Sequence, residues 1–247
     1  MGAGIAWAVV LATASVTPST HWNVTAPPAN AAEWRCANES RSDWTVGMGA
    51  RGELLFATTP AHPPELSQPL PGGGRLVGTN KGEWGGTVAW VSDSGAQRVE
   101  LLNKPVVAFA AFRGEVFIAS GSNMYGERGE IHRMHRRGAT RWQIDKVLDL
   151  AEVPSAALLE ADTWTLVTNR GVVRVDLRTL ATSRLHTNLQ WGQVHPGSVV
   201  HRQGRWFIGA RSAVIRLSPF NGSYREEWMV PPSCATTTPA GTCHCKT

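Results

Sequence analysis

Cysteine is missing from the long middle of this chain. None occurs between Cys36 and Cys234, and the remaining two, Cys243 and Cys245, follow closely. One thiol therefore precedes the body of the fold and three follow it. An even count in an oxidising compartment points to two disulfides. The reading adopted here bonds Cys36 to one of the C-terminal three. A bridge across a loop of about 200 residues restrains the unfolded chain by about 4–5 kcal/mol in the chain-entropy view. The alternative is a zinc corner at Cys243-His244-Cys245, which lacks paired C-x-x-C spacing.

Other features are equally scarce. No Lys/Arg run exceeds two residues, although the net charge is +5. The basic residues alternate with apolar ones instead, as in Val173-Arg174-Val175 and Ile215-Arg216-Leu217. That is a strand pattern and excludes a basic nucleic-acid tail. The longest apolar run near the start, Ile5 to Leu11, is too short to span a bilayer, which needs about 20 residues. It suits the core of a signal peptide, with small-residue cleavage patterns at Ala12-Thr13-Ala14 and Ala29-Asn30-Ala31. No Lys or Arg precedes Arg35, so a basic leader is lacking, and a buried strand or helix is the alternative. Residues 1–31 are accordingly read as signal peptide and linker, 34–232 as the folded domain and 233–247 as a Cys-containing tail. There is no G-x-S-x-G, H-E-x-x-H, P-loop or dinucleotide fingerprint. The expectation is a secreted or periplasmic monomer with no bound metal or cofactor and no nucleic-acid partner.

What is present is a repeat. Two large apolar residues followed by small or polar ones appear at Leu76-Val77-Gly78-Thr79, Phe117-Ile118-Ala119-Ser120, Leu166-Val167-Thr168-Asn169 and Phe207-Ile208-Gly209-Ala210. Val77, Ile118, Val167 and Ile208 stand 41, 49 and 41 residues apart. A second strand type begins at Val88, Ile131, Val172 and Val214, spaced 43, 41 and 42. Two strand types keeping one period of about 42 residues, with a strand before and a strand after, define a four-stranded blade. The fold class is therefore all-β, a β-propeller of five blades. The first full repeat is irregular: its expected inner strand near residue 65 lies in a Pro-rich stretch, and the runs Asp43–Met48 and Glu53–Thr58 read as outer strands of a further, first blade assembled from N-terminal strands with the C-terminal tail as a candidate addition. A twisted β-sandwich is the alternative. No helix is expected; Leu148–Glu152 is the nearest candidate and is too short.

Aligning the blades brings certain loops together. Connections from second to third strand, and those leading into the next blade, open on one face. The first two second-to-third connections are extended, and extended loops on a rigid scaffold tend to carry binding residues. They hold Asn80, Lys81, Glu83, Trp84, Tyr125, Glu127 and Arg128, with Arg170, Trp191, His195 and Arg211 opposite. These eleven residues form the candidate binding set, with a protein or glycan as partner. Glu83 and Glu127, with His195, would instead suit a glycoside hydrolase or lyase if their carboxylates were suitably spaced.

The W-D signature of WD40 repeats and the kelch double glycine are both absent. The segment Gly78–Gly86 (GTNKGEWGG) and the strand ending Tyr224–Trp228 (YREEW) resemble a family of small secreted bacterial propellers. That resemblance implies the fold and an extracytoplasmic location, and no activity. Ser120-Gly121, followed by Tyr125, is similar to a loop of periplasmic lysozyme inhibitors, some of which act as immunity proteins. This second resemblance implies an inhibitor or immunity role.

Overall fold

The computed structural model describes residues 17–18, 22–40, 42–58, 65–122, 128–137 and 141–231. Five antiparallel sheets make up the molecule. The second blade consists of β5 (Leu66–Pro69), β6 (Arg75–Gly78), β7 (Val88–Val91) and β8 (Arg98–Leu102). The third follows as β9 (Val106–Phe112), β10 (Glu115–Ser122), β11 (Arg128–Arg137) and β12 (Arg141–Leu150). The fourth is β13 (Pro154–Glu160), β14 (Thr163–Thr168), β15 (Gly171–Asp176) and β16 (Thr182–Thr187). The fifth is β17 (Ser198–Arg202), β18 (Arg205–Gly209), β19 (Val214–Phe220) and β20 (Ser223–Val230), widened at its outer edge by β2 (Asn23–Thr25). Among the described residues the first blade has three strands, in the order β1 (Thr17–Pro18), β4 (Leu54–Thr58), β3 (Trp44–Met48).

Successive side chains on a strand point to opposite faces. In β6, β10, β14 and β18 the paired apolar residues are nevertheless both buried: Leu76 and Val77, Phe117 and Ile118, Leu166 and Val167, Phe207 and Ile208. These four sheets are covered on both sides along their inner strands. Separate cores lie between the second and third blades, around Leu76, Val106 and Ile118, and between the third and fourth, around Phe117, Trp164 and Leu166. A larger core joins the fourth and fifth through Val167, Trp191, Ile208 and Trp228. The fifth blade packs on the first through Phe207, Val214, Phe56 and Trp22.

The glycine that follows two of the four apolar pairs has a structural cause. A Cβ on Gly78 would lie 2.9 Å from Val106 at the start of β9. A Cβ on Gly209 would lie 2.3 Å from the Trp44 carbonyl and 2.8 Å from the Thr45 Cα on β3. At both positions the first strand of the following blade crosses so close that only glycine fits. β3 therefore stands beside the fifth blade as β9 stands beside the second. It is the leading strand of its blade, not the outer strand expected from sequence.

Two further expectations need correction. Leu66–Pro69 does form a strand, paired along its length with β6. It lies at the edge of its sheet, where Pro69 can sit at the strand end without breaking an internal ladder. A helix is also present: α1, Ala31–Glu39. Asn30 Oδ1 accepts from the amides of Ala32 and Glu33, and Glu33 Oε2 accepts from the amide of Ala29 at 2.6 Å. This is a reciprocal capping arrangement, Asn-x-x-Glu, in residues read from sequence as linker and cleavage site. Trp34 then docks edge-on against Trp228, ring centroids 5.5 Å apart. Among the described residues no helix is long and apolar enough to cross a membrane.

The glycine crossing gives a test. Gly209→Val should lower stability by about 2–3 kcal/mol, because the added methyls overlap backbone that can move only by parting two blades. Denaturant unfolding with the slope checked for constancy measures it. A melting profile equal to that of the wild type would exclude the close crossing.

Candidate functional site

The loops grouped from the repeat do meet on one face, bonded to one another through the backbone. The Val106 amide donates to the Thr79 carbonyl, Gly121 to Pro105, Asn169 to Val153, Asn188 to Arg170, and Arg211 to Val194. Each pair joins a second-to-third connection, or the strand end beside it, to a segment leading into the same blade or the next. α1 lies at one end of this face, against the 3₁₀ turn Trp191–Gln193.

The loop of the second blade is built to present Trp84. Gly82 and Gly85 adopt φ of +59° and +77°, values that favour glycine, and open space surrounds both. Asn80 Oδ1 accepts from the Gly82 amide at 2.9 Å, Lys81 N donates to the Gly85 carbonyl at 2.8 Å, and Trp84 N donates to Lys81. Gly86 closes the loop onto the blade, since a Cβ there would strike the Thr79 carbonyl. Trp84 projects from this turn with 86% of its surface exposed. Among the described residues it is the one exposed tryptophan. Lys81 and Arg128 are also exposed. The backbone of Glu83 belongs to the turn Gly82–Trp84, while its side chain, with Tyr125 and Glu127, lies outside the described residues.

Trp191 is not where the repeat suggested. It is wholly buried in the core between the fourth and fifth blades, so it offers no surface to a partner. Its indole N–H donates to Glu226 Oε1 at 3.2 Å. Glu226 also accepts from His186 Nε2 and Asn188 Nδ2, both at 2.9 Å, and from Trp228 Nε1 at 2.9 Å. Burial by itself would raise its pKa. The bonds donated by His186, Asn188, Trp228 and Trp191 outweigh that and hold the carboxyl below the ordinary glutamate value. One buried carboxylate thus pins the loop 188–194 to the fifth blade. A second, Glu152, is held by Arg184 and by the Thr168 hydroxyl. Burial opposes its charge, yet these partners lower its pKa too.

Arg211 is also largely committed. Its Nε donates to Asp43 Oδ1 at 3.0 Å and its Nη1 to the Asn38 carbonyl at 3.1 Å and to Asn38 Oδ1 at 3.2 Å. It fastens the end of α1 to the fifth blade. His195 is exposed beside it in the left-handed region, φ +44°. Desolvation first and the Arg211 charge second hold its pKa below the usual histidine value, with Asp43 opposing them. Arg170 lines a shallow hollow of about 190 Å³ with Asn169, Gly192 and Leu189, the last 68% exposed.

Sequence reasoning missed a cleft beside these loops. A cleft of about 580 Å³ opens between α1 and the turn Trp191–Gln193, lined by Asn30, Trp34, Arg35, Asn38, Gln190 and Gln193 among others. The signal was the Asn30-x-x-Glu33 cap, which announces a helix where a cleavage site was read. Cys36 sits on this helix and is not a free thiol; Cys234, Cys243 and Cys245 lie outside the described residues.

Five four- or near-four-stranded sheets joined by shared cores, with loops gathered on one face, define a β-propeller. No family model matches the chain, and no curated protein does. Solved structures similar to it include the extracellular domain of the two-component system BT4673 from B. thetaiotaomicron, at 9% identity and a TM-score of 0.41, over 68% of this chain. This chain spans about a fifth of that domain's length, 20%. The CNH domain of AfRom2 matches at 13% identity and 0.43, covering 82% of this chain and 74% of that one. TolB from Acinetobacter baumannii matches at 11% and 0.37, covering 85% and 63%.

The Glu226 hub predicts a stability effect with a defined pH dependence. A carboxyl with a lowered folded pKa stabilises above its unfolded value, about 4.5, and the contribution is lost as pH falls through the folded value. Glu226→Gln should cost about 3 kcal/mol at pH 7 by leaving buried donors unpaired. Its stability should also decline less steeply than that of the wild type below about pH 4.5. Chemical unfolding at several pH values measures both. Parallel curves would remove the charged hub.

Proposed function

We propose that the protein is a non-catalytic extracytoplasmic propeller that binds a protein or glycan partner through its loop face, as an inhibitor or immunity factor does. The observation that carries this reading is Trp84. A large aromatic with 86% of its surface in water, on a turn whose geometry is set by its own hydrogen bonds, gains nothing for the fold. Tryptophan is the residue type most enriched at binding hot spots. Leu189 adds a second exposed apolar group on this face, and Lys81 and Arg128 supply a polar rim. An oxidising compartment suits the reading: Cys36, on α1, would be bridged to a tail cysteine there.

The experiment is affinity capture from the envelope and secreted fractions of the source cells, followed by binding measurements on the recovered partner. Trp84→Ala should weaken that binding about 30-fold, the cost of about 2 kcal/mol typical of a hot spot, without altering the melting temperature. Arg128→Glu should weaken it further. If both variants bind as the wild type does, the loop face is not the interface.

A further inference from the structure

The cleft beside α1 has a composition that selects its occupant. Its lining holds four carboxamides, Asn30, Asn38, Gln190 and Gln193, with Trp34 and one exposed cation, Arg35. We infer that this cleft binds a neutral, hydroxyl-rich ligand, a short saccharide, between the helix and the turn Trp191–Gln193. The inference rests on the loop face being the binding face and names a ligand class and a place on it.

Three observations lead there. First, the anion-binding capacity of the helix start is already spent. The Asn30 side chain takes the amides of Ala32 and Glu33, and Glu33 takes that of Ala29. A phosphate or carboxylate would find these donors occupied. The other nearby guanidinium, Arg211, is paired with Asp43. Second, the lining residues include no acid, so a cation has no counter-charge. Glu33, nearest in sequence, has one oxygen on Ala29 N and the other on Asn30 Nδ2. Third, the amides keep hydrogen-bonding capacity to spare. Gln193 Nε2 donates to Gln190 Oε1, which leaves the Gln190 amide protons and the Gln193 carbonyl for a ligand. Asn38 Oδ1 accepts from Arg211, which leaves its Nδ2. Groups that offer donors and acceptors side by side match hydroxyls, which do both. About 580 Å³ also falls within the usual range for small-ligand sites, roughly 300–1,000 Å³.

The cleft walls are held from behind. Trp34 packs on Trp228, Arg211 grips the end of the helix, and Glu226 anchors Trp191 beneath the turn. A ligand therefore meets a formed site and does not have to order it.

Calorimetric titration of the full chain with neutral oligosaccharides tests this: chitooligosaccharides, cello-oligosaccharides and malto-oligosaccharides, beside sialylated and sulfated ones. Binding of a neutral series is expected. The double variant Gln190→Ala/Gln193→Ala should lose about tenfold or more in affinity, as two hydrogen bonds are removed, with an unchanged melting temperature. Val99→Ala, at an exposed position on β8 outside either site, should leave saccharide affinity unaltered. The inference is overturned if no neutral sugar binds, if only the anionic sugars do, or if the double variant binds as the wild type does. Loss of partner capture in Trp84→Ala without any saccharide binding would leave the loop-face reading standing and remove the cleft alone.

Discussion

A blade cannot stand alone. The inner strands of four of these sheets bury apolar residues on both faces, so those sheets need a neighbour on either side, and at two of the joins the approach is limited by a single carbon atom. At Gly78 and Gly209 the next blade's leading strand runs through the space a Cβ would fill. The ring geometry follows from that crossing. Apolar pairs such as Leu166-Val167 and Phe207-Ile208 can feed two different cores at once because the sheets are this close. The N-terminal strands then attach to the far end of the chain: β3 beside β17, and β2 on the outer edge of β20. Sequence-distant ends are joined by the same packing rule that joins adjacent repeats.

That rule explains what was legible. A residue buried on both faces of a sheet leaves a short uninterrupted apolar run, and four such runs at one period announce the blades. The small or polar residue closing each run was equally visible, and at Gly78 and Gly209 its cause is the crossing strand. The leading strands were harder. Trp44–Met48 and Leu66–Pro69 lie at sheet edges, where one side of the ladder is unpaired and proline or glycine is tolerated. Such strands carry little of the propensity that marks a central one. α1 was hidden for a different reason. Asn30 flanked by alanines satisfies both a cleavage pattern and a helix cap, and only the carboxylate of Glu33 folding back on Ala29 separates the two.

The candidate site was legible in outline because hairpin parity sends alternate connections to the same face. The role of each residue on it was not. Trp84 and Trp191 look alike in sequence, each in a polar, glycine-containing loop. One projects into water from a turn bonded to itself. The other is drawn inward by a carboxylate 35 residues away. Glu226 lies on an outer strand whose sequence reads as ordinary exposed charge, Arg225-Glu226-Glu227. Its neighbour Glu227 does serve surface pairs, with Arg216 and Arg225. A single-residue step along β20 changes a rim charge into a buried hub, and strand alternation accounts for that only once the facing blade is known.

The charge balance has a comparable lesson for recognition. A net charge of +5 suggests a basic surface, yet much of the arginine on and around the loop face is used internally. Arg184 closes on Glu152, and Arg211 spans Asp43 and the end of α1. Arg216 turns to Glu227 on its own sheet. Pairs of this kind, partly desolvated and each made through two guanidinium nitrogens, act as clamps more than as fields felt by a distant partner. What stands exposed around these loops is a tryptophan held out on a glycine turn, a leucine, a cleft walled by carboxamides, and the cations Arg35, Lys81 and Arg128. The clamps matter because they keep those groups in place before any partner arrives, so that less of the binding energy is spent on ordering loops.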